Sequence, residues 1–533
     1  MDLLLTIGCS LPSVVKATLG HTLSLSPTSS KWDLKTAMLI AVVRSSFDSP
    51  VKKSITDLQK HWARNPPIKG NMWCSRATIK APPEDDARQK LLQAVEELKI
   101  TGKETYKVPE AVDITGEWHG LRAGVKPDTP EPRDLSEEAK YQKLVAETTS
   151  DAVVLYFHGG AFFIMDPSSH RGITKRLGPQ IGGRVFSLRY RLAPQNPFPA
   201  ALLDALIAYL TLLHPPPGSM HKAIPASKII LAGDSAGGNL VLALTQLLLQ
   251  WQRKAREEQG SADAVPTVRF HGETVAVPLP AGLTPFSPWL DLTRSLPSLV
   301  ENTHFDYLPP PDELSQPKAH SRKSGTQKLK ERHPYPKDEA WPADPIRTDL
   351  YTDGSALLHP LASPLAMRAE DWAGAPPTLF VVGQELMHDE MSLVAKKMGT
   401  RGGVKVRWEE WEAMPHAFGL VLGEFYADTI GRSLHERWGA WARHVLSLSS
   451  SSSSSSSAGH GGNEFDASKA MVGVEDGILT GAVQIAAKTF QVREIPGGLD
   501  GLTKVSEERA WELMRAAQER LCAAEPPGRD AEP

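Results

Sequence analysis

A serine with small neighbours on both sides stands in the stretch Gly-Asp-Ser-Ala-Gly at residues 233–237. An apolar run over 228–232 precedes it and a helical pattern over 239–253 follows, so we expect Ser235 on a sharp turn between strand and helix. The flanking glycines allow such a turn because strand and helix can then approach closely. A serine hydroxyl held in this way can attack a carbonyl carbon, which makes Ser235 the candidate nucleophile.

A second motif with its own chemistry, His-Gly-Gly-Ala at residues 158–161, directly follows the apolar run 152–157. Attack by a serine places negative charge on the former carbonyl oxygen, and fixed backbone N–H groups stabilise that charge. We name the N–H groups of Gly160 and Ala161 as donors, together with that of the residue after the nucleophile. The candidate oxyanion hole comprises Gly159, Gly160, Ala161 and Ala236.

Four motifs together resemble the hormone-sensitive-lipase-like branch, or family IV, of the α/β-hydrolases, in the manner of a fungal-type esterase or lipase. They are His-Gly-Gly at 158–160, Tyr-Arg-Leu-Ala-Pro at 190–194, Gly-Asp-Ser-Ala-Gly-Gly-Asn at 233–239 and Ser-Pro-Trp-Leu-Asp at 287–291. Ala161 stands where many members carry a third glycine, so we expect a local backbone adjustment there. The resemblance implies an α/β-hydrolase fold and carboxylesterase or lipase-type activity, chemistry that needs no metal or organic cofactor.

A nucleophilic serine requires a base and an acid that orients the base. Against the family pattern, Glu385 takes the position of the acid, with Asp389 as the second choice. His416 takes the position of the general base. With Ser235 these residues would form a catalytic triad that hydrolyses small or lipid-like esters through an acyl-enzyme.

Two residues are interpreted as supporting the motifs without touching the substrate: His158 and Asp234. A function of another class stays open, namely a non-catalytic small-molecule receptor on the same fold. At least one such receptor keeps much of the serine turn and lacks the histidine. The presence of His416 therefore favours the enzyme.

Strands and helices alternate over residues 111–446, which predicts an α/β catalytic domain with a doubly wound, mostly parallel sheet and helices on both faces. Residues 1–110 are predicted to be mainly helical and to contribute to a helical cap, and the sheet is expected to begin with a strand at 117–121. Residues 309–350, rich in proline and charge, are predicted to form a flexible insertion.

The remainder of the chain is predicted to lie outside the catalytic domain. A Ser/Gly-rich linker is expected over 447–463, because a run of serines has no means of forming a core. The tail, residues 464–533, contains one stretch with helical amphipathic spacing, over 505–522.

Composition limits the partners. The 533 residues carry 59 basic and 62 acidic side chains, a net charge of −3, so nothing favours nucleic acid. Three widely separated cysteines give no indication of a disulfide framework or a zinc site. With no secretory signal and no apolar run of membrane-spanning length, we predict a cytoplasmic, soluble protein that acts on a small-molecule ester. Peripheral lipid contact near residues 33–60 is a less favoured alternative to a packed cap helix; acyl-chain length and oligomeric state stay open.

Overall fold

The computed structural model describes residues 2–47, 53–63, 65–311, 335–342, 347, 349–451 and 475–523. Its α-helices are α1 (Asp2–Thr22), α2 (Leu34–Phe47), α3 (Ile55–Trp62), α4 (Asp86–Glu97), α5 (Glu137–Ala146), α6 (Arg171–Gln180), α7 (Ala200–Leu213), α8 (Ala236–Gln259), α9 (Ser298–Glu301), α10 (His388–Lys396), α11 (Phe418–Val421), α12 (Arg432–Ser451) and α13 (Glu507–Cys522). None of these helices combines the length and the apolar character needed to cross a bilayer.

The strands are β1 (Met72–Ile79), β2 (Ile114–Leu121), β3 (Val153–Phe157), β4 (Arg184–Arg189), β5 (Ile229–Asp234), β6 (Thr267–Phe270), β7 (Glu273–Ala276), β8 (Gly282–Phe286), β9 (Thr378–Gly383), β10 (Val406–Trp411), β11 (Gly481–Ile485) and β12 (Val492–Glu494). One large sheet has the order β1-β2-β4-β3-β5-β8-β9-β10-β11-β12, and β6 and β7 form a separate hairpin. The strands from β4 to β11 in this order pair in parallel, and the outer pairs are antiparallel.

The central strands are apolar along their whole length because helices cover both faces of the sheet. In β3, Val154 and Tyr156 enter one core while Leu155 and Phe157 enter the other. Helices α7 and α8 pack on the face of Leu155, and α6 and α12 pack on the opposite face. The predicted doubly wound α/β fold is confirmed, and the carboxyl ends of β3, β5, β9 and β10 bring the candidate residues to one edge of the sheet.

The sheet begins earlier than the sequence predicted. Strand β1, within the region expected to be mainly helical, pairs antiparallel with β2 from Met72–Leu121 to Ile79–Ile114. Its sequence mixes Ser75 and Arg76 with apolar residues, as suits a strand at the sheet's edge, and so lacks the continuous apolar run that marks the central strands.

The carboxyl-terminal tail also extends the sheet. Strand β11 pairs in parallel with β10, and its Val483 and Ile485 are buried. The amphipathic spacing over 505–522 correctly predicts the helix α13, but the sequence gives no signal for strands β11 and β12, which are short; β11 is also only moderately apolar. Helix α12 continues to Ser451, so the first residues of the predicted linker are helical; residues 452–474 lie outside the described residues.

Part of the predicted flexible insertion packs against the amino-terminal region. Ala340 and Trp341 are buried with Ile55 of α3, and Phe163 and Tyr335 pack against them. Composition pointed to an open segment, but these few apolar side chains suffice to form a small core. Residues 312–334 of the insertion lie outside the described residues.

Truncation of a buried side chain in β11 tests whether the tail is an integral part of the sheet. Ile485→Ala is expected to lower the free energy of unfolding by about 2–5 kcal/mol, because it removes buried methyl groups and leaves a cavity. Val492→Ala in β12 is the matched control, since Val492 is 42% exposed and little packing is lost. Urea unfolding followed by tryptophan fluorescence measures both, and equal midpoints would contradict the assignment.

Candidate active site

Ser235 lies on the turn between β5 and α8 with a positive φ of 53°. A Cβ on Gly237 would lie 2.0 Å from the carbonyl oxygen of Phe157, and one on Gly233 would lie 2.6 Å from the backbone of Gly237. Only glycine therefore fits at these two positions. The N–H of Ser235 donates to the carbonyl of Phe286 at 3.0 Å, which helps to hold this unfavourable backbone conformation.

His416 and Glu385 form a hydrogen-bonded pair through the histidine Nδ1 and one carboxylate oxygen, and both side chains are buried. The other carboxylate oxygen accepts a hydrogen bond from Ser287 Oγ at 2.5 Å and one from the N–H of Gly383 at 3.2 Å. Ser287 Oγ in turn accepts from the N–H of Ala417 at 3.1 Å. Ser287 therefore joins the acid to the loop that carries the histidine.

Electrostatics favour the charged form of this histidine. Burial alone lowers the pKa of His416, but the Glu385 carboxylate more than compensates, and Asp306 adds to its effect, so the pKa lies above its usual value. An imidazole in this setting is stabilised once it has accepted a proton. Such stabilisation is what a general base requires during attack by a serine.

Asp306 is a buried carboxylate near this pair that the sequence analysis did not identify. Its oxygens accept hydrogen bonds from the N–H groups of Tyr307 at 2.7 Å, Leu308 at 3.1 Å and Leu386 at 3.0 Å. Burial raises the pKa of Asp306, opposed by His416. The residue belongs to no motif, so the sequence offered no signal for it.

Asp389, the second choice for the acid, is bonded elsewhere. One of its oxygens accepts from the N–H of Ser298 at 2.9 Å, and the other accepts from Thr503 Oγ1 at 2.8 Å. The structure thus brings Glu385, and not Asp389, to His416.

The nucleophile and the histidine–acid pair are tied together through consecutive residues of one segment. Phe286 accepts from the N–H of Ser235, and the next residue, Ser287, holds Glu385. Among the described residues no hydrogen bond joins the Ser235 hydroxyl to His416. In enzymes without substrate this contact is often long and tightens only when substrate binds.

The loop after β3 presents a row of unusual backbone conformations. Gly160, Ala161 and Phe162 all have positive φ, of 108°, 51° and 64°. A Cβ on Gly160 would lie 2.2 Å from the carbonyl oxygen of Ile164, so glycine is required there, while Ala161 adopts the left-handed conformation that favours glycine. Within the described part of the chain, the N–H groups of Gly160, Ala161 and Ala236 donate no hydrogen bond.

Gly159 does not share this property. Its N–H lies 3.2 Å from Asp234 Oδ1 and 3.2 Å from His170 Nε2, so it points into the fold. Tyr156 also donates to Asp234, at 2.7 Å. We therefore remove Gly159 from the candidate oxyanion donors, a correction to the sequence prediction, because its N–H already has acceptors.

His158 and Asp234 stabilise the loop after β3 and the turn at Ser235 through buried contacts. The His158 ring stacks on Tyr190 with centroids 4.2 Å apart, and the Tyr190 hydroxyl donates to the His158 carbonyl at 2.7 Å. Burial, assisted by His170, lowers the pKa of His158 to about 3, so this ring is neutral. Burial raises the pKa of Asp234, but His170 and Tyr156 lower it by more, so the pKa lies below its usual value and the carboxylate stays charged.

Three side chains of metal-binding type converge elsewhere, in the sheet beside β1: Cys74, Glu117 and His119. Glu117 already accepts two hydrogen bonds from Arg171, at 2.6 and 2.8 Å, and a third contact from His119 at 3.0 Å. His119 Nδ1 lies 2.8 Å from Thr174 Oγ1. The Glu117 and His119 side chains therefore already have partners in a buried network with Arg171 and Thr174.

Helix α3 covers the oxyanion loop. Gln59 Nε2 donates to the carbonyls of Phe163 and Ala193, both at 3.0 Å. Phe163 follows the row of positive φ angles, so this contact connects the amino-terminal region to the loop that carries the free amides.

A family model described as alpha/beta hydrolase fold matches residues 154–420, about half of the chain. An acetyl-hydrolase of Streptomyces hygroscopicus is 30% identical over 266 residues, which cover 50% of this chain and 67% of that protein. An esterase of Acinetobacter venetianus is 26% identical over 285 residues, covering 53% and 73%. Human hormone-sensitive lipase is 38% identical over 94 residues, 17% of this chain and only 8% of that protein.

Solved structures with a similar chain path include an esterase from the bacterial hormone-sensitive lipase family, with 21% identity and a TM-score of 0.47 over 78% of this chain and 99% of that one. The family model and the acetyl-hydrolase carry the assignment, because the match falls on the strands and loops that hold the candidate residues. The chain belongs to the alpha/beta-hydrolase fold family, as its resemblance to the hormone-sensitive-lipase-like branch predicted.

Proposed function

We propose that the protein is a serine carboxylic-ester hydrolase in which Ser235, His416 and Glu385 form the catalytic triad. The buried hydrogen bond between His416 and Glu385, at the sheet edge that also carries Ser235, is the observation that supports this best. The similar proteins named esterase, lipase and acetyl-hydrolase point to the same reaction class.

In the proposed mechanism, Ser235 Oγ attacks the ester carbonyl carbon while its proton passes to His416 Nε2. Glu385 holds the Nδ1–H and stabilises the imidazolium. The N–H groups of Gly160, Ala161 and Ala236 receive the oxyanion, since they have no other acceptor among the described residues. The alcohol then leaves with the proton from His416, and a water molecule, activated by the same histidine, releases the acid from Ser235.

The receptor alternative is not favoured. A receptor has no use for a base with a raised pKa paired to a buried acid, and the relatives carry the names of hydrolases. The cytoplasmic location and the absence of nucleic-acid binding stay predictions from composition.

We also propose that α3 and residues 335–342 form part of the cap over the site. The small core of Ile55, Trp341 and Phe163 lies next to the oxyanion loop, and Gln59 bonds directly to it. Acyl-chain preference would then depend on this cap, while the reaction itself depends on the sheet edge.

Removal of the nucleophile is the primary test. Ser235→Ala is expected to reduce hydrolysis of a short p-nitrophenyl ester by about a thousandfold or more, because no other group can form the acyl-enzyme. Hydrolysis is followed by release of p-nitrophenol, with thermal melting as a check on the fold. Equal rates for the native protein and the variant would refute the assignment.

The choice of acid is tested by two matched amides. Glu385→Gln is expected to lower kcat by about a hundredfold or more, because the amide no longer stabilises the imidazolium of His416. Asp389→Asn changes an acid of the same region that contacts Ser298 and Thr503, and kcat should stay within about threefold of the native value. The reverse ranking would transfer the role to Asp389.

The pH profile tests the base. Only neutral His416 accepts the serine proton, so kcat/KM should fall as pH falls through the histidine pKa. Because the Glu385 carboxylate raises that pKa, the midpoint of the acid limb should lie above about 6.5, and the residual activity of Glu385→Gln should have its midpoint at lower pH. A flat profile between about pH 5 and 8 would contradict a histidine base.

A further inference from the structure

Two amino-terminal helices expose apolar stripes on their outer faces. In α1, Leu11, Val15, Leu19 and Leu23 follow one another at intervals of four residues along the helix and its end, and each is between 48% and 62% exposed. Residues four apart lie on one side of a helix, so these side chains form a continuous row. A row of large apolar side chains open to solvent is rare on proteins that meet only water.

Helix α2 repeats the arrangement beside α1. Leu34, Met38 and Val42, again four residues apart, are 37% to 39% exposed, while its Ile40 is buried. Phe425 lies next to α2, since Lys35 Nζ donates to its carbonyl at 3.1 Å. Its side chain is 55% exposed and adds to the apolar surface. One side of the helix pair thus packs on the protein, and the other side is left apolar and uncovered by the described residues.

We propose that this α1–α2 face docks the protein onto an anionic lipid surface. Residues 11–47 contain four basic side chains, at Lys16, Lys31, Lys35 and Arg44, and one acidic side chain, at Asp33. When Asp2 at the start of α1 is included, the segment from α1 to the end of α2 carries a net charge of +2, in a chain whose net charge is −3. An apolar stripe inserts among acyl chains while neighbouring lysines and arginines attract anionic headgroups.

The acidic groups around the segment do not reverse this charge. Glu412 is paired with Lys31, and Asp33 accepts hydrogen bonds from the N–H of Thr36 and from the Tyr426 hydroxyl. Lys16 and Lys35 are both exposed. A second copy of the chain suits the face less well, because a two-fold contact places one patch against itself and would oppose like charges.

The face also leads towards the proposed catalytic base. Helix α2 ends at Phe47, whose ring stacks on Tyr307 at 5.8 Å, and the Tyr307 ring lies 6.4 Å from that of His416. Trp32 Nε1, just before α2, donates to the carbonyl of Ala413 in the histidine loop at 2.7 Å. This link to catalysis rests on the proposed ester hydrolysis; the docking itself does not. A lipid-bound enzyme would thus have its site beside the surface that supplies lipophilic esters.

Flotation with vesicles tests the docking. The 533-residue chain should float with phosphatidylcholine vesicles containing about 30% phosphatidylserine, and less with phosphatidylcholine alone. The double variant Leu19→Glu with Met38→Glu should bind about tenfold less, because it places charge in the apolar stripes. The matched control, Val265→Glu with Val492→Glu, adds the same charge at exposed valines elsewhere and should bind like the native protein. Lys16→Gln with Lys35→Gln should remove the preference for phosphatidylserine.

The outcomes separate docking from catalysis. Ser235→Ala should float like the native protein, and the stripe variant should hydrolyse a short soluble ester normally when no vesicles are present. Equal flotation of the stripe variant and its matched control would overturn the proposal. So would a native protein that ignores vesicles but self-associates in light scattering and becomes monomeric in the stripe variant, which would assign the face to a second copy. Loss of ester hydrolysis in every variant, with flotation kept, would refute only the proposed function.

Discussion

The arrangement of the candidate site depends on the close approach of two backbone segments, the turn at Ser235 and the end of β3. The turn at Ser235 packs so tightly on the end of β3 that a single methyl group on Gly237 would overlap the Phe157 carbonyl. Because the loop proposed to hold the oxyanion starts at the next residue, His158, the same contact brings that loop close to Ser235, the proposed nucleophile. Asp234 strengthens the link, since its carboxylate holds the Gly159 N–H from below. Asp234, the charged residue next to the proposed nucleophile in sequence, therefore has a structural role.

The other half of the site depends on one hydroxyl. Ser287 receives an N–H from the histidine loop and donates to the acid, while Phe286 beside it accepts from the nucleophile's backbone. These hydrogen bonds connect the carboxyl ends of β5, β9 and β10 to the carboxyl end of β8. Burial would by itself lower the pKa of His416 and favour the neutral histidine. The Glu385 carboxylate and Asp306 offset that tendency, so the buried His416 suits the proposed role of base.

Much of this could be predicted from the sequence, because short motifs encode local geometry. The glycine-rich loop, the serine turn, the acid and the histidine follow one another in the order of the parallel strands. The long apolar strands could be predicted from their sequences. Strands β1 and β11 escaped prediction, since sheet edges tolerate polar residues and a short strand of five residues carries little periodicity. Gly159 was placed among the oxyanion donors because sequence shows that an N–H exists and cannot show which way it points. Ser287 begins one of the four motifs that carry the resemblance, but its contacts with Glu385 and the Ala417 N–H join distant segments and could not be predicted from that motif. Asp306 lies in no motif.

The position of β11 has a consequence for the order in which the site can assemble. The histidine loop contacts both the tail and the amino-terminal region. The N–H of Glu412 donates to the carbonyl of Ile485 in β11, and the Glu412 side chain pairs with Lys31. During synthesis on the ribosome, residues 481–485 emerge only after His416 and all of α12 have been made. The nucleophile turn and the oxyanion loop can be in place long before then, but the base gains its last support when the tail joins the sheet. Completion of the histidine loop thus requires strand β11, which follows the loop and α12 in the chain.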